Sequence, residues 1–361
     1  MSCPKRIEAI HNLLGILAIL LISQVCTNRC PAVPNDDSQW KQYLQSADEA
    51  NEHGSTQLAG THYAKALAIA EQFGEHDPRF VVTLHKLGNF YLYRAPSSAA
   101  SYFKRSLTLM ETLPRDQVLD LDLALENGLL CEALINQGKF ADAEPYAKRK
   151  LALQESLLHE DDPALFQSLM RMADCELGQL HYAQAIPFLK RAIEIARARK
   201  YATLGNHLLV LARTEVYNLE FSKADDYKQQ AIALKNSCVP SAFADDLRTV
   251  GVAFMRKERW KEADDCYKET AHILSSAHLE KTIHMAALLA DQGRLCYRQG
   301  QYTNAEAIHR KALLLIKPLN LPIKDQVVKM IIGFLAQDLE KEGKIEEAAK
   351  LQQQLESVRT K

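Results

Sequence analysis

Eight cysteines and twelve histidines are the residues of this sequence with the most obvious capacity for chemistry. Thiols at metal-ligand spacing would hold zinc, and imidazoles three or four residues apart on a helix would share one face and one metal. Neither spacing occurs. There is no CxxC pair, and His272, His278 and His284 stand six apart, which reads as a solvated helix end and loop. Cys131, Cys175, Cys266 and Cys296 fall on or beside apolar packing positions, where a thiol behaves as a small hydrophobe. Cys238 lies in a joint between segments, and Cys26 and Cys30 either pair with each other or leave with the leader.

Carboxylates offer no stronger site. The pairs Asp161-Asp162, Asp225-Asp226, Asp245-Asp246 and Asp264-Asp265 fall at different phases of the surrounding pattern. Consecutive residues on a helix point about 100° apart, so these read as caps and solvated faces, not as an acid and base working together. HExxH, GxSxG, a Gly-Lys phosphate loop and a GxGxxG after a strand are all missing. No catalytic residue, metal or cofactor is expected, and the chain is read as a non-enzyme. Lys plus Arg number 44 against 45 Asp plus Glu, a net charge of −1 that gives no support to nucleic-acid binding.

Binding is what remains, and the elements that would position it repeat. In GQYTNAEAIHRKALLLI, residues 300–316, Tyr302, Ala305, Ile308, Ala312, Leu313 and Leu315 form one stripe at helical spacing directly after a helix-ending Gly. The same aromatic-then-Ala step recurs at Phe140/Ala143, Tyr182/Ala185, Phe221/Ala224, Trp260/Ala263 and Ile345/Ala348, spaced by 42, 39, 39, 42 and 43 residues. Weaker copies stand at Thr56/Ala59 and Pro96/Ala99. Each copy follows a second amphipathic stretch with a small residue nine places before the aromatic position, such as Gly293, Gly251, Ala212 and Ala336. Small residues there let two helices approach closely, so each unit is an antiparallel helix pair.

This pattern resembles the tetratricopeptide repeat family, and the period of about 42 with the joints GEHDP and HEDDP is similar to its kinesin-light-chain subgroup. The resemblance covers roughly residues 39–358, with Thr56, Pro96 and Lys150 departing from it. It implies an all-α fold, a right-handed α-solenoid of about eight antiparallel helix pairs, and a protein–protein interaction role. The clamp that some chaperone-binding members use is not reproduced.

In stacked pairs the first helix of each unit lines the inner face. Stepping five, eight and twelve residues back from the aromatic position selects Arg213, Arg248, Met255, Arg294 and Tyr297, with Asn206 on the same face, and in earlier units Asp48, Glu132 and Asp174. The expectation is a groove with a basic half and an acidic half, where the three Arg grip an acidic segment of a partner protein bidentately and Tyr297 and Met255 give apolar contact. Alternatively, each Arg pairs with a carboxylate of the next helix. The function expected is an adaptor or scaffold; a peptide-gated sensor that changes superhelical pitch is the alternative.

Ahead of the array, Lys5 and Arg6 precede the apolar run Leu13–Ile22. Residues 1–30 therefore read as a secretory signal or a membrane anchor, with an interfacial helix as the other reading. The chain is expected to be exported or held at a membrane by its N-terminus, although several unpaired buried thiols count against export. Residues 31–38, PAVPNDDS, read as an extended linker, and 39–361 as the repeat array.

Overall fold

The computed structural model describes residues 34–74, 76–114, 118–319, 322 and 325–359. Among them sixteen α-helices and no strand form eight antiparallel pairs. The first helices of the pairs are α1 (Pro34–Glu52), α3 (Pro78–Tyr91), α5 (Asp120–Ile135), α7 (Pro163–Gly178), α9 (Leu204–Tyr217), α11 (Pro240–Arg256), α13 (Ile283–Arg298) and α15 (Gln326–Lys341). The second helices are α2 (Thr56–Ala70), α4 (Pro96–Thr112), α6 (Phe140–Leu157), α8 (Tyr182–Ala198), α10 (Phe221–Ala233), α12 (Trp260–Ser276), α14 (Tyr302–Ile316) and α16 (Ile345–Arg359). The chain falls into two compact units, residues 1–195 and 196–361, and within each the pairs stack in sequence order as an all-α solenoid.

Every second helix starts at the residue on which the copies align, from Thr56 to Ile345. The alanine three residues later is buried in all eight, with at most 1% of its surface exposed. One cause of this register lies two residues upstream. Gly54, Gly138, Gly300 and Gly343 take positive φ there, and so do Leu180, Leu219 and Glu258. A left-handed residue ends a helix and turns the chain back within a few residues. The Pro96 pair alone lacks it and relies on proline at the first turn of its second helix.

Close approach of the paired helices depends on the small residues nine before the aromatic position. A Cβ on Gly251 would lie 2.6 Å from the Tyr267 ring and one on Gly293 2.5 Å from His309 Nε2. Tyr267 is fully buried and has nowhere to move. Gly251→Ala is therefore expected to destabilise by about 1–3 kcal/mol through overpacking. Gly333, whose Cβ would meet nothing nearer than 3.9 Å, should gain about 0.5–1 kcal/mol from the same change. Urea midpoints of the two variants check this; shifts of the same sign would show that helix spacing is not set at Gly251.

One boundary differs from the sequence reading. Helix α1 begins at Pro34, so residues 34–38 are helical and not an extended linker. Proline needs no N–H in a first turn, and the acidic residues after it favour a helix N-terminus. Asp37 is held there by Lys41 and Arg79 at 2.8 and 3.2 Å. The leader 1–30, with Cys26 and Cys30, lies outside the described residues. Among the described residues no helix is long and apolar enough to cross a membrane.

Candidate functional site

Asp48, Glu132 and Asp174, on the first helices α1, α5 and α7, belong to residues 1–195, and none stands open to a ligand. Asp48 accepts from Tyr63 Oη and Lys86 Nζ, each at 2.6 Å, and burial together with this bond pushes the Tyr63 phenol upward. Glu132 accepts from Tyr93 Oη at 2.5 Å and lies 3.4 Å from Arg171, which is 3.2 Å from Asp174. The acidic half of the expected groove is thus balanced by Lys86 and Arg171 of the same unit.

Residues 196–361 behave differently. First helices α9, α11, α13 and α15 pack successively against one another, and the selected side chains bridge them. Asn206 donates to Asp246 at 2.6 Å, and His284 lies 2.7 Å from Asp245, both between neighbouring helices. Arg248 donates to Asp291, the carboxylate pairing that was the alternative reading for each Arg. Asp291 is 5% exposed, and burial pushes its carboxyl up against the pull of Arg248.

Arg213 and Arg294 end on neutral partners. Arg213 donates to Thr249 Oγ1 at 3.3 Å, and Arg294 donates to Gln337 Oε1 at 2.7 Å while lying over the Tyr297 and Phe334 rings. The slot is the same one that Glu132 occupies. The residue eight before an aromatic position meets the residue eleven before the next, which is Arg171 for Glu132, Thr249 for Arg213 and Phe334 for Arg294. Where a carboxylate and an arginine share the slot the charge is spent. Beside Thr249 and Phe334 neither arginine makes an ion pair, although Arg213 draws the Asp246 carboxyl down from nearby.

Met255 is corrected. It is 7% exposed and packs on Tyr267, whose hydroxyl is 4.0 Å from its sulfur, so it belongs to the core and not to a groove. Stepping five residues back leaves the face on one helix and keeps it on the next. Steps of four keep to one face, and the fourth residue before the aromatic position gives Tyr217, Arg256, Arg298 and Lys341. The three cations are exposed in the last turns of α11, α13 and α15, where helix carbonyl ends favour positive charge. Arg256 reaches Tyr217 Oη at 3.5 Å and Arg298 reaches Glu258 at 3.8 Å, both loose contacts. The signal that finds them is the i, i+4 continuation from Arg294 to Arg298.

Two clefts lie elsewhere. One of about 610 Å³ is lined by Trp260, Asp264, Gln292, Leu295 and Cys296, and one of about 770 Å³ by Gly60, Ala64, Phe90 and Tyr91. None of the nine selected residues lines either. Of the cysteines read as packing residues, Cys131, Cys175 and Cys266 are buried and Cys296 is half-buried; burial raises the Cys266 thiol to about 12. Asp162 caps α7 through Ala164 N–H at 2.8 Å, the role assigned to such pairs.

Residues 122–198 match the family model of the tetratricopeptide repeat. These residues carry tetratricopeptide repeats. They hold α5 to α8, the third and fourth pairs, and the other six pairs keep the same register. A tetratricopeptide repeat protein from Parabacteroides merdae is 11% identical with a TM-score of 0.55, over 82% of this chain and 99% of that one. RapI in its apo form is 16% identical with a TM-score of 0.54, over 77% of this chain and 99% of that one. A putative kinesin light chain with tetratricopeptide-like repeats from Podospora anserina is also similar, at 16% identity and a TM-score of 0.46, over 55% and 96%. At such identities the likeness is one of fold. No curated protein matches the chain.

Proposed function

We propose that this tetratricopeptide repeat chain is a non-catalytic adaptor whose first-helix face in residues 196–361 captures an extended acidic segment of a partner protein. The observation that carries the reading is that Arg213 and Arg294 each donate to a neutral neighbour and not to a carboxylate, Arg213 acting on Asp246 only from a distance, so that each bears donors for a partner's carboxylate. Arg256, Arg298 and Lys341 extend the positive field along the same face, and Tyr297 supplies an apolar surface beside Arg294. Arg248 serves the scaffold by compensating Asp291.

Titration of the full chain with a labelled Asp/Glu-rich peptide tests this. Loss of two charge-assisted contacts, at about 1.5–3 kcal/mol each, should weaken binding by the paired variant Arg213→Glu/Arg294→Glu by about a hundredfold or more. Affinity should also fall with added salt. Equal affinity of wild type and variant, or equal affinity for a Lys-rich peptide, overturns the assignment. The basic and then apolar leader supports export or N-terminal anchoring, which fractionation of the native host into soluble and membrane pools checks.

A further inference from the structure

The cleft of about 610 Å³ lies where the sixth and seventh pairs meet, within residues 196–361, and shares no residue with the arginine face. Each helix that borders it contributes at helical spacing. On α12, Trp260 stands in the first turn, and Lys261 and Asp264, three apart, share one side. Gln292, Leu295, Cys296 and Gln299 share one side of α13, and Ile308 comes from α14.

The repeat explains why a cleft stands here. Four residues after the aromatic position come Glu144, Asp264 and Glu306. Glu144 accepts from Gln179 at 2.8 Å and Glu306 from Lys344 at 2.5 Å, bonds that tie each second helix to the end of the next pair's first helix or its turn. Asp264 pairs within its own helix, with Lys268 at 2.6 Å, and Gln299, the counterpart of Gln179, has no partner among the described residues. Six residues before the aromatic position, Phe254 and Leu339 are fully buried, whereas Cys296 is smaller and half-buried. A missing cross-bond and a small side chain leave the volume beside Trp260.

We propose that this cleft is a binding site for a free α-amino acid with a large apolar side chain. Its lining holds one Lys and one Asp on the same side of one helix, a charge pair complementary to a carboxylate and an ammonium carried on a single carbon. Lys261 meets the carboxylate. Asp264 has a second oxygen beyond the one that Lys268 holds, and it accepts from the ammonium. Trp260, Leu295 and Ile308 face the side chain. Lys261, Gln292 and Gln299 have no partner among the described residues, so they turn to a ligand without breaking a bond. Burial and then Asp264 raise the Cys296 thiol, which stays protonated and adds no charge. The volume lies within the range of about 300–1,000 Å³ usual for small-molecule sites.

The test reads Trp260 emission from the full chain in a Trp40→Phe background, since these are its two tryptophans. L-Phenylalanine should change the emission saturably. The analogues 3-phenylpropionate and 2-phenylethylamine each lack one of the two charges and should bind about tenfold more weakly or worse, the loss of one charge-assisted contact. Lys261→Met should weaken L-phenylalanine by about the same factor and leave 2-phenylethylamine unchanged. Cys296→Phe fills the cleft with the residue that the sixth pair carries at this place and should abolish the response. Cys296→Leu, with the eighth pair's residue, serves the same purpose if the larger ring lowers the urea midpoint. No saturable response to L-phenylalanine, equal affinity for the three probes, or a response that survives both cysteine variants overturns the proposal.

Discussion

Replacing His309 with Leu is expected to remove about 3–5 kcal/mol of stability from residues 196–361, the cost of breaking a buried pair and leaving one partner uncompensated. His309 on α14 and Asp338 on α15 are both fully buried. The Nε2 of His309 sits 3.0 Å from the carbonyl of Ala290, which can only accept, so Nε2 carries a proton. The bond between Nδ1 and Asp338 Oδ2 then holds one further proton, either on the imidazole or on the acid. Both arrangements satisfy the pair. Without the ring, Asp338 keeps no acceptor or donor for Oδ2, and its Oδ1 already has none. A double replacement, His309→Leu with Asp338→Leu, should recover most of the loss because no polar atom is then stranded.

The deficit should depend on pH in a direction that can be worked out. Burial raises the Asp338 carboxyl above its usual 3.8, opposed by its bond to His309. A group whose folded pKa is raised contributes stability that is complete below the unfolded value and declines as pH rises through the folded one. In His309→Leu the opposing bond is gone, so the folded value rises further. The deficit should therefore be largest at neutral pH and shrink toward pH 4. Trp260 reports on this unit and Trp40 on the other, so fluorescence in a Trp40→Phe background follows the transition. A deficit that is flat in pH would show that His309 acts by packing alone.

Repetition made the fold legible. One residue of backbone geometry is demanded at the same place in seven of the eight pairs, and the aromatic–alanine step follows that turn. Joints between one pair and the next were less legible where no proline marks them: the break after α8 is made by Lys200 at positive φ, and such a side chain gives no warning. His309 escaped notice for a related reason. It sits at a packing position on its stripe, and only the helix across from it supplies the carboxylate. For the candidate site, charge sign along the first helices was readable, but charge compensation was not. Asp48 and Glu132 look available until Lys86 and Arg171 are placed beside them. Met255 was drawn in because a step of five rotates off the face on which Arg256 lies.

Arg248→Glu is expected to behave unlike reversals at Arg213 and Arg294, although all three were selected as one basic half of the groove. The Arg248 guanidinium pairs with Asp291, nearly buried on α13, and its Nε lies 3.7 Å from Asp245. Reversal would put a third carboxylate beside these two, so the scaffold should lose about 3–5 kcal/mol before any ligand is considered. Arg294→Glu gives up one amide contact and the faces of Tyr297 and Phe334, together about 1–2 kcal/mol at a half-exposed site. A triple reversal would therefore lose its ligand by unfolding and identify nothing. Urea midpoints and acidic-peptide affinities measured on the single variants separate the two roles. Lost stability at Arg248 with lost affinity at Arg213 and Arg294 assigns scaffold and site as described. A stable Arg248→Glu protein that no longer binds would instead make Arg248 a ligand group and leave Asp291 compensated by His309 and Arg256, which already draw its carboxyl down.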